Sequence, residues 1–151
     1  MRSTSFGDAV FYDRSDTPEF EEGLVFVIMP FSDQFNDVYS AIKDECTKLC
    51  LRSLRVDETT GSVFILRKIY ELIERAEFII VDLTDEKPNV YYELGYSHGV
   101  GNEENDILLI AKEGTKLHFD IAPLAVRFYS STEHLRRIIS NHLGRMINDT
   151  R

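Results

Sequence analysis

Residues 76–101 read AEFIIVDLTDEKPNVYYELGYSHGVG, and this stretch decides the fold. The apolar run Phe78–Val81, with Ala76 ahead of it, predicts a strand buried on both faces. It ends in an acid, Asp82, followed by the polar loop Leu83-Thr84-Asp85-Glu86-Lys87-Pro88. Asn89 then opens a helical segment that carries Glu93, Gly95 and Ser97 in its first turns and stops at Gly99, Gly101 and Asn102. A buried strand, a short loop and a helix make half of a parallel β-α-β unit. In open α/β sheets, ligand crevices form at the end of such a strand.

Working outward, the same alternation recurs. Leu24–Met29 (LVFVIM) predicts a buried first strand, stopped by Pro30, which has no amide to donate to a central ladder. Residues 34–50 place Phe35, Val38, Tyr39, Ile42, Cys46 and Leu49 at helical spacing. Leu51–Val56 alternates more and predicts a second strand near a sheet edge. Gly61 breaks the chain, and Ile65, Ile69, Leu72 and Ile73 line one face of a helix over 63–76. Ile107–Ala111 and Ala125–Tyr129 predict strands four and five, and Leu135–Ile147 a closing helix. Residues 1–22 are polar and acidic and read as a lead-in to a domain over 23–151. Strands alternating with helices require a parallel sheet covered on both faces. Five strands suit a flavodoxin-like three-layer α/β sandwich with strand order 2-1-3-4-5. That order brings the loops after strands 1 and 3 together: Pro30 and Phe31 face Asp82 and Asn89, with Asp57 and Glu58 nearby.

Composition narrows the function classes. The chain has 151 residues, 43% hydrophobic and 11% aromatic, enough for one core. With 26 acids against 17 bases the net charge is −9, a poor balance for long nucleic acid but no obstacle to a single nucleotide. No apolar run reaches the roughly 18 residues of a membrane span. The first residues lack the apolar core of a secretory signal, so a cytoplasmic protein is expected. Cys46 and Cys50 stand four apart on a predicted helix with no third ligand nearby, and read as reduced thiols. His98, His118, His134 and His142 show no metal spacing. No GxGxxG follows the first strand, and neither a P-loop nor a GxSxG elbow occurs. A response-regulator phosphoacceptor at Asp82 would need a lysine at the end of strand 5, where Arg127 and Tyr129 stand instead.

The segments FVIMPF (26–31), ERAEFIIVDLT (74–84) and PNVYYELGYSHG (88–99) resemble the nucleoside 2-deoxyribosyltransferase-like superfamily. That superfamily includes the 2'-deoxynucleoside 5'-phosphate N-hydrolases and grades into TIR-like domains. The resemblance spans about residues 24–130 and implies that Glu93, the glutamate of the ELG block, is the nucleophile at the anomeric carbon. A carboxylate there stabilises an oxocarbenium-like transition state or forms a glycosyl ester. Without that chemistry, Glu93 is an acid favoured by a helix N-terminus.

Asp82 matches the family's acid after strand 3, which places it beside Glu93 in the catalytic set as a ribose-hydroxyl contact, or else it is a turn-making cap. Asn89 is an N-cap or a ligand contact. Lys87, six residues before Glu93 where family members contact the 5' end of the sugar, is an exposed loop lysine or a partner for a 5'-phosphate or a pyrophosphate. Tyr91, Tyr92 and Tyr96 are core aromatics or a stacking surface for the base.

Two positions depart from the family pattern. Phe26 replaces the tyrosine of the first strand, and Ile69 stands where an acid acts on the leaving base, a role open to Asp57 or Glu58. A cationic leaving group such as the nicotinamide of NAD needs no such acid, which keeps a TIR-like NAD-glycohydrolase in view. A third reading is a non-catalytic nucleotide sensor. No cofactor or metal is implied. The expected partners are a nucleoside or nucleotide and a second copy of the chain, because family sites are often completed by a neighbouring subunit.

Overall fold

A computed structural model of the chain describes residues 20–30, 32–56, 63–84, 106–117 and 125–150, with the side chains of 63–66 left aside. Its order is β1 (Glu21–Ile28), a 3-10 turn (Asp33–Phe35), α1 (Asn36–Lys48), β2 (Arg52–Arg55), α2 (Val63–Arg75), β3 (Ala76–Asp82), β4 (Ile107–Lys112), β5 (Val126–Tyr129) and α3 (Thr132–Thr150). The strands form a single five-stranded sheet of order β2-β1-β3-β4-β5, every neighbouring pair parallel. This is the flavodoxin-like arrangement expected from the strand-helix alternation.

Burial explains the order. All seven residues of β3 are buried, as are Leu24–Ile28 of β1 and Ile107–Ala111 of β4. Each large apolar side chain taken out of water contributes roughly 1.5–3 kcal/mol. Continuous apolar runs therefore occupy the centre, and the half-polar β2 and β5 take the edges. Alternation along the strands splits the core in two. Val25, Val27, Phe78, Ile80, Leu108 and Ile110 face α1 and α3. Leu24, Phe26, Ile28, Ile79, Val81 and Leu109 face α2. From β1 the chain steps to one side through α1 and returns past it through α2. Crossovers of one hand must then lie on opposite faces.

Ion pairs hold the helix layer opposite α2. Glu45 on α1 is buried, and its Oε2 accepts from Lys48 at 2.9 Å and from Arg136 of α3 at 3.3 Å. Arg136 also reaches Asp44 at 3.1 Å. This clamp sets the spacing of α1 and α3, whose N-terminal ends wall the carboxyl edge of the sheet.

Two boundaries differ from expectation. β1 begins at Glu21, inside the segment read as lead-in. Arg52 and Arg75 both pair with the Glu21 carboxylate and hold it well below the usual glutamate range. Gly23, at φ +87°, donates its N–H to Glu77 Oε1 at 2.8 Å, next to a register shift between Glu21 and Val25. These are tertiary contacts that local composition does not announce. Cys50 falls beyond α1 rather than on it: α1 stops at Lys48, and Cys50 takes φ +61° in the turn into β2. Among the described residues, no helix is long and apolar enough to cross a membrane.

Candidate functional site at the carboxyl edge

Register fixes what meets at the carboxyl edge. Ile28 of β1 pairs with Val81 of β3, so Pro30 and Asp82 lie at adjacent strand ends. Asp82 pairs with Ile110 of β4, and Lys112 pairs with Tyr129 of β5. Asp82, Lys112 and Tyr129 are each the last residue of a strand.

Asp82 is fully buried and closes a hydrogen-bond network. Its Oδ1 accepts from the Thr84 backbone N–H at 2.9 Å and from the Thr84 hydroxyl. Its Oδ2 accepts from the Tyr129 hydroxyl at 2.9 Å. Thr84 Oγ1 in turn accepts the Lys112 N–H at 2.9 Å. The Leu83 N–H bonds to Ile110 O at 2.9 Å, and the Glu113 N–H to Tyr129 O at 2.8 Å. One carboxylate thus ties the ends of β3, β4 and β5 together. Burial pushes the Asp82 carboxyl up, and the bonds from Thr84 and Tyr129 pull against it. Burial first, and the Asp82 charge second, raise the Tyr129 phenol.

Above this network lies a cavity of about 400 Å³. Thr84, Lys112 and Tyr129 border it from the sheet edge, Gln34 from the 3-10 turn, Asp37 and Val38 from α1, and Ser130–Thr132 from the start of α3. Helix α3 begins with its own cap. Ser131 Oγ accepts the His134 N–H at 3.1 Å, and His134 Nδ1 accepts the Ser130 N–H at 3.0 Å. The volume falls within the roughly 300–1,000 Å³ usual for small-molecule sites.

Of the residues expected at the site from sequence, Pro30 and Asp82 are found at this edge. Asp82 makes the turn after β3, and with no exposed surface and both oxygens engaged it presents no face to a ligand. Phe31, Asp57, Lys87, Asn89, Tyr92 and Glu93 lie outside the described residues. Thr84, Lys112 and the Ser130–Thr132 corner were not singled out from sequence. The available signal was positional: a polar residue closing an apolar strand faces the edge where α/β crevices form.

No family model and no curated protein matches this chain. Solved structures match it in fold. Two single-residue mutants of a flavo di-iron protein from Thermotoga maritima superpose with TM-scores of 0.63 and 0.59 at 15% and 14% identity. In both cases the match covers 86% of this chain and 37% of that one, so the chain spans little over a third of those proteins. A diflavin flavoprotein A3 from Nostoc sp. matches at TM-score 0.50 and 12% identity, over 89% of this chain and 98% of that one. At these identities the likeness is one of architecture, and the chain is a flavodoxin-like α/β domain.

Proposed function

We propose that the chain binds a nucleoside or nucleotide at the carboxyl edge of its sheet and cleaves or transfers the N-glycosidic bond, with Glu93 as nucleophile. The observation that carries this reading is where the PNVYYELGYSHG block sits in the chain. It follows β3, the strand beside β1 at which the strand order reverses. The Glu93 carboxylate attacks the anomeric carbon, the C1'–N bond breaks with its electron pair going to the base, and a glycosyl ester forms. Water or an acceptor base then takes the sugar and frees the carboxylate. Lys87 suits a 5'-phosphorylated substrate.

The leaving base sets the choice between two forms of this reaction. A neutral purine or pyrimidine departs with a proton from a general acid. Asp82, the buried acid at this edge, already accepts from Thr84 and Tyr129 on both oxygens. That commitment favours a leaving group that needs no proton, such as the nicotinamide of NAD, and a TIR-like NAD-glycohydrolase is therefore the second reading.

The test is incubation of the full chain with nucleosides, 5'-nucleotides and NAD, with chromatography for released base. Flavin mononucleotide belongs in the panel as a binding control, because the fold neighbours are flavoproteins by name. Glu93→Gln should lower base release by at least about 10²–10³, the scale of removing one electrostatic stabiliser at a reacting centre. Unchanged release in this variant removes Glu93 from the mechanism. Binding of a nucleotide with no release from any of the panel replaces the enzyme with a nucleotide sensor.

A further inference from the structure

The cavity at the carboxyl edge is chemically graded. At the sheet, Thr84 and Tyr129 both donate their hydroxyl protons to Asp82. Thr84 Oγ1 also accepts the Lys112 N–H, so what these hydroxyls can still offer a ligand is their remaining lone pairs, and this side accepts. At the start of α3 the polarity reverses. Ser131 Oγ already accepts the His134 N–H, which leaves its own proton free to donate, and Thr132 adds a second hydroxyl. Lys112 brings an ammonium to the lining, and no carboxylate among the described residues pairs with it. Asp37, on the α1 side, is the carboxylate of the described lining.

This grading discriminates between ligand classes. A cationic ligand would gain Asp37 and the lone pairs but meet the Lys112 ammonium. An apolar one would strip water from that ammonium and the hydroxyls without replacing it. A molecule with an anion at one end and hydroxyls at the other satisfies both sides. We infer that this cavity takes the pentose 5-phosphate portion of the ligand. The phosphate lies against Lys112 and the start of α3, and the sugar hydroxyls donate to Thr84 and Tyr129. The inference rests on the nucleotide reading above and names the described residues that would hold the phosphorylated sugar. The 19-residue α3 adds its N-terminal partial charge to the lysine.

Isothermal titration of the full chain with ribose 5-phosphate and ribose tests it. Ribose 5-phosphate should bind about tenfold more tightly than ribose, the scale of one charge-assisted contact. Lys112→Ala should erase that preference and Lys112→Arg should keep most of it. Asp37→Asn should tighten ribose 5-phosphate and leave ribose unchanged. Lys112 and Asp37 are exposed, so thermal melting of the variants should match the parent. The inference is overturned if the two sugars bind alike, if neither binds, or if Lys112→Ala holds ribose 5-phosphate as before. Its outcome separates from that of the cleavage reading. Base release combined with sugar-phosphate binding that ignores Lys112 overturns only the cavity assignment. Sugar-phosphate binding that depends on Lys112, with no base released from the panel, upholds the cavity and removes the cleavage.

Discussion

At the scale of single residues, the carboxyl edge depends on how Asp82 is satisfied. A buried carboxylate without donors would lose several kcal/mol of hydration, so its partners at Thr84 and Tyr129 decide whether it is tolerated. Tyr129→Phe deletes the donor to Oδ2 while keeping the ring in the core. The expected cost is about 1–3 kcal/mol, the price of an orphaned buried acceptor, read from urea unfolding. An unchanged midpoint would show that Oδ2 finds another donor. This role was only half legible beforehand. An acid closing an apolar strand is visible in the sequence, and a turn-making cap was one of its two readings. Its partner Tyr129 lies 47 residues further along, and only strand pairing brings the two together.

At the scale of elements, the end of α1 separates two cysteines that spacing alone places on one helix. Cys46 faces the core, and burial, with the neighbouring Glu45 charge second, pushes its thiol up from 9.0 to about 12. Cys50 sits exposed in the turn. At pH 8 a thiol reagent should therefore label the native chain once, at Cys50, and label Cys46 only on unfolding. Rapid labelling of both under native conditions would contradict the placement of α1. The linkage has a definite sign. A pKa raised on folding contributes stability that is full below the unfolded value of 9.0 and is lost as pH rises through about 12. Urea midpoints should accordingly fall across that alkaline window, and less so in Cys46→Ala. The helical periodicity of residues 34–50 was plain in the sequence. Its stopping point depended on the left-handed turn at Cys50 and the Leu51 N–H bonding back to Cys46 O at 2.8 Å, neither of which has a residue signature.

For the whole molecule, the remaining question is whether one copy suffices. The resemblance implies a neighbouring subunit at the site, and Phe128 stands 39% exposed on the edge strand β5. Light scattering at micromolar concentration should give a homodimer of twice 17.5 kDa. A 17.5 kDa species would instead require the site to be complete within one chain.

The sequence by itself determined the architecture, because burial on two faces leaves a readable trace. Uninterrupted runs between helical segments, such as Phe78–Val81 and Ile107–Ala111, read as central parallel strands, and the half-polar Arg52–Arg55 reads as a strand nearer an edge. It also marked Pro30 and Asp82 as neighbours at the carboxyl edge, because strand order alone brings their loops together. Only the tertiary structure decided which groups are spent and which are free. Asp82 is consumed by Thr84 and Tyr129, Glu21 is drawn into β1 by Arg52 and Arg75, and Lys112 is left unpaired beside a cavity among the described residues. The physical reason is that a hydrophobic pattern acts through local periodicity. A hydrogen bond or ion pair depends instead on where distant parts of the chain meet.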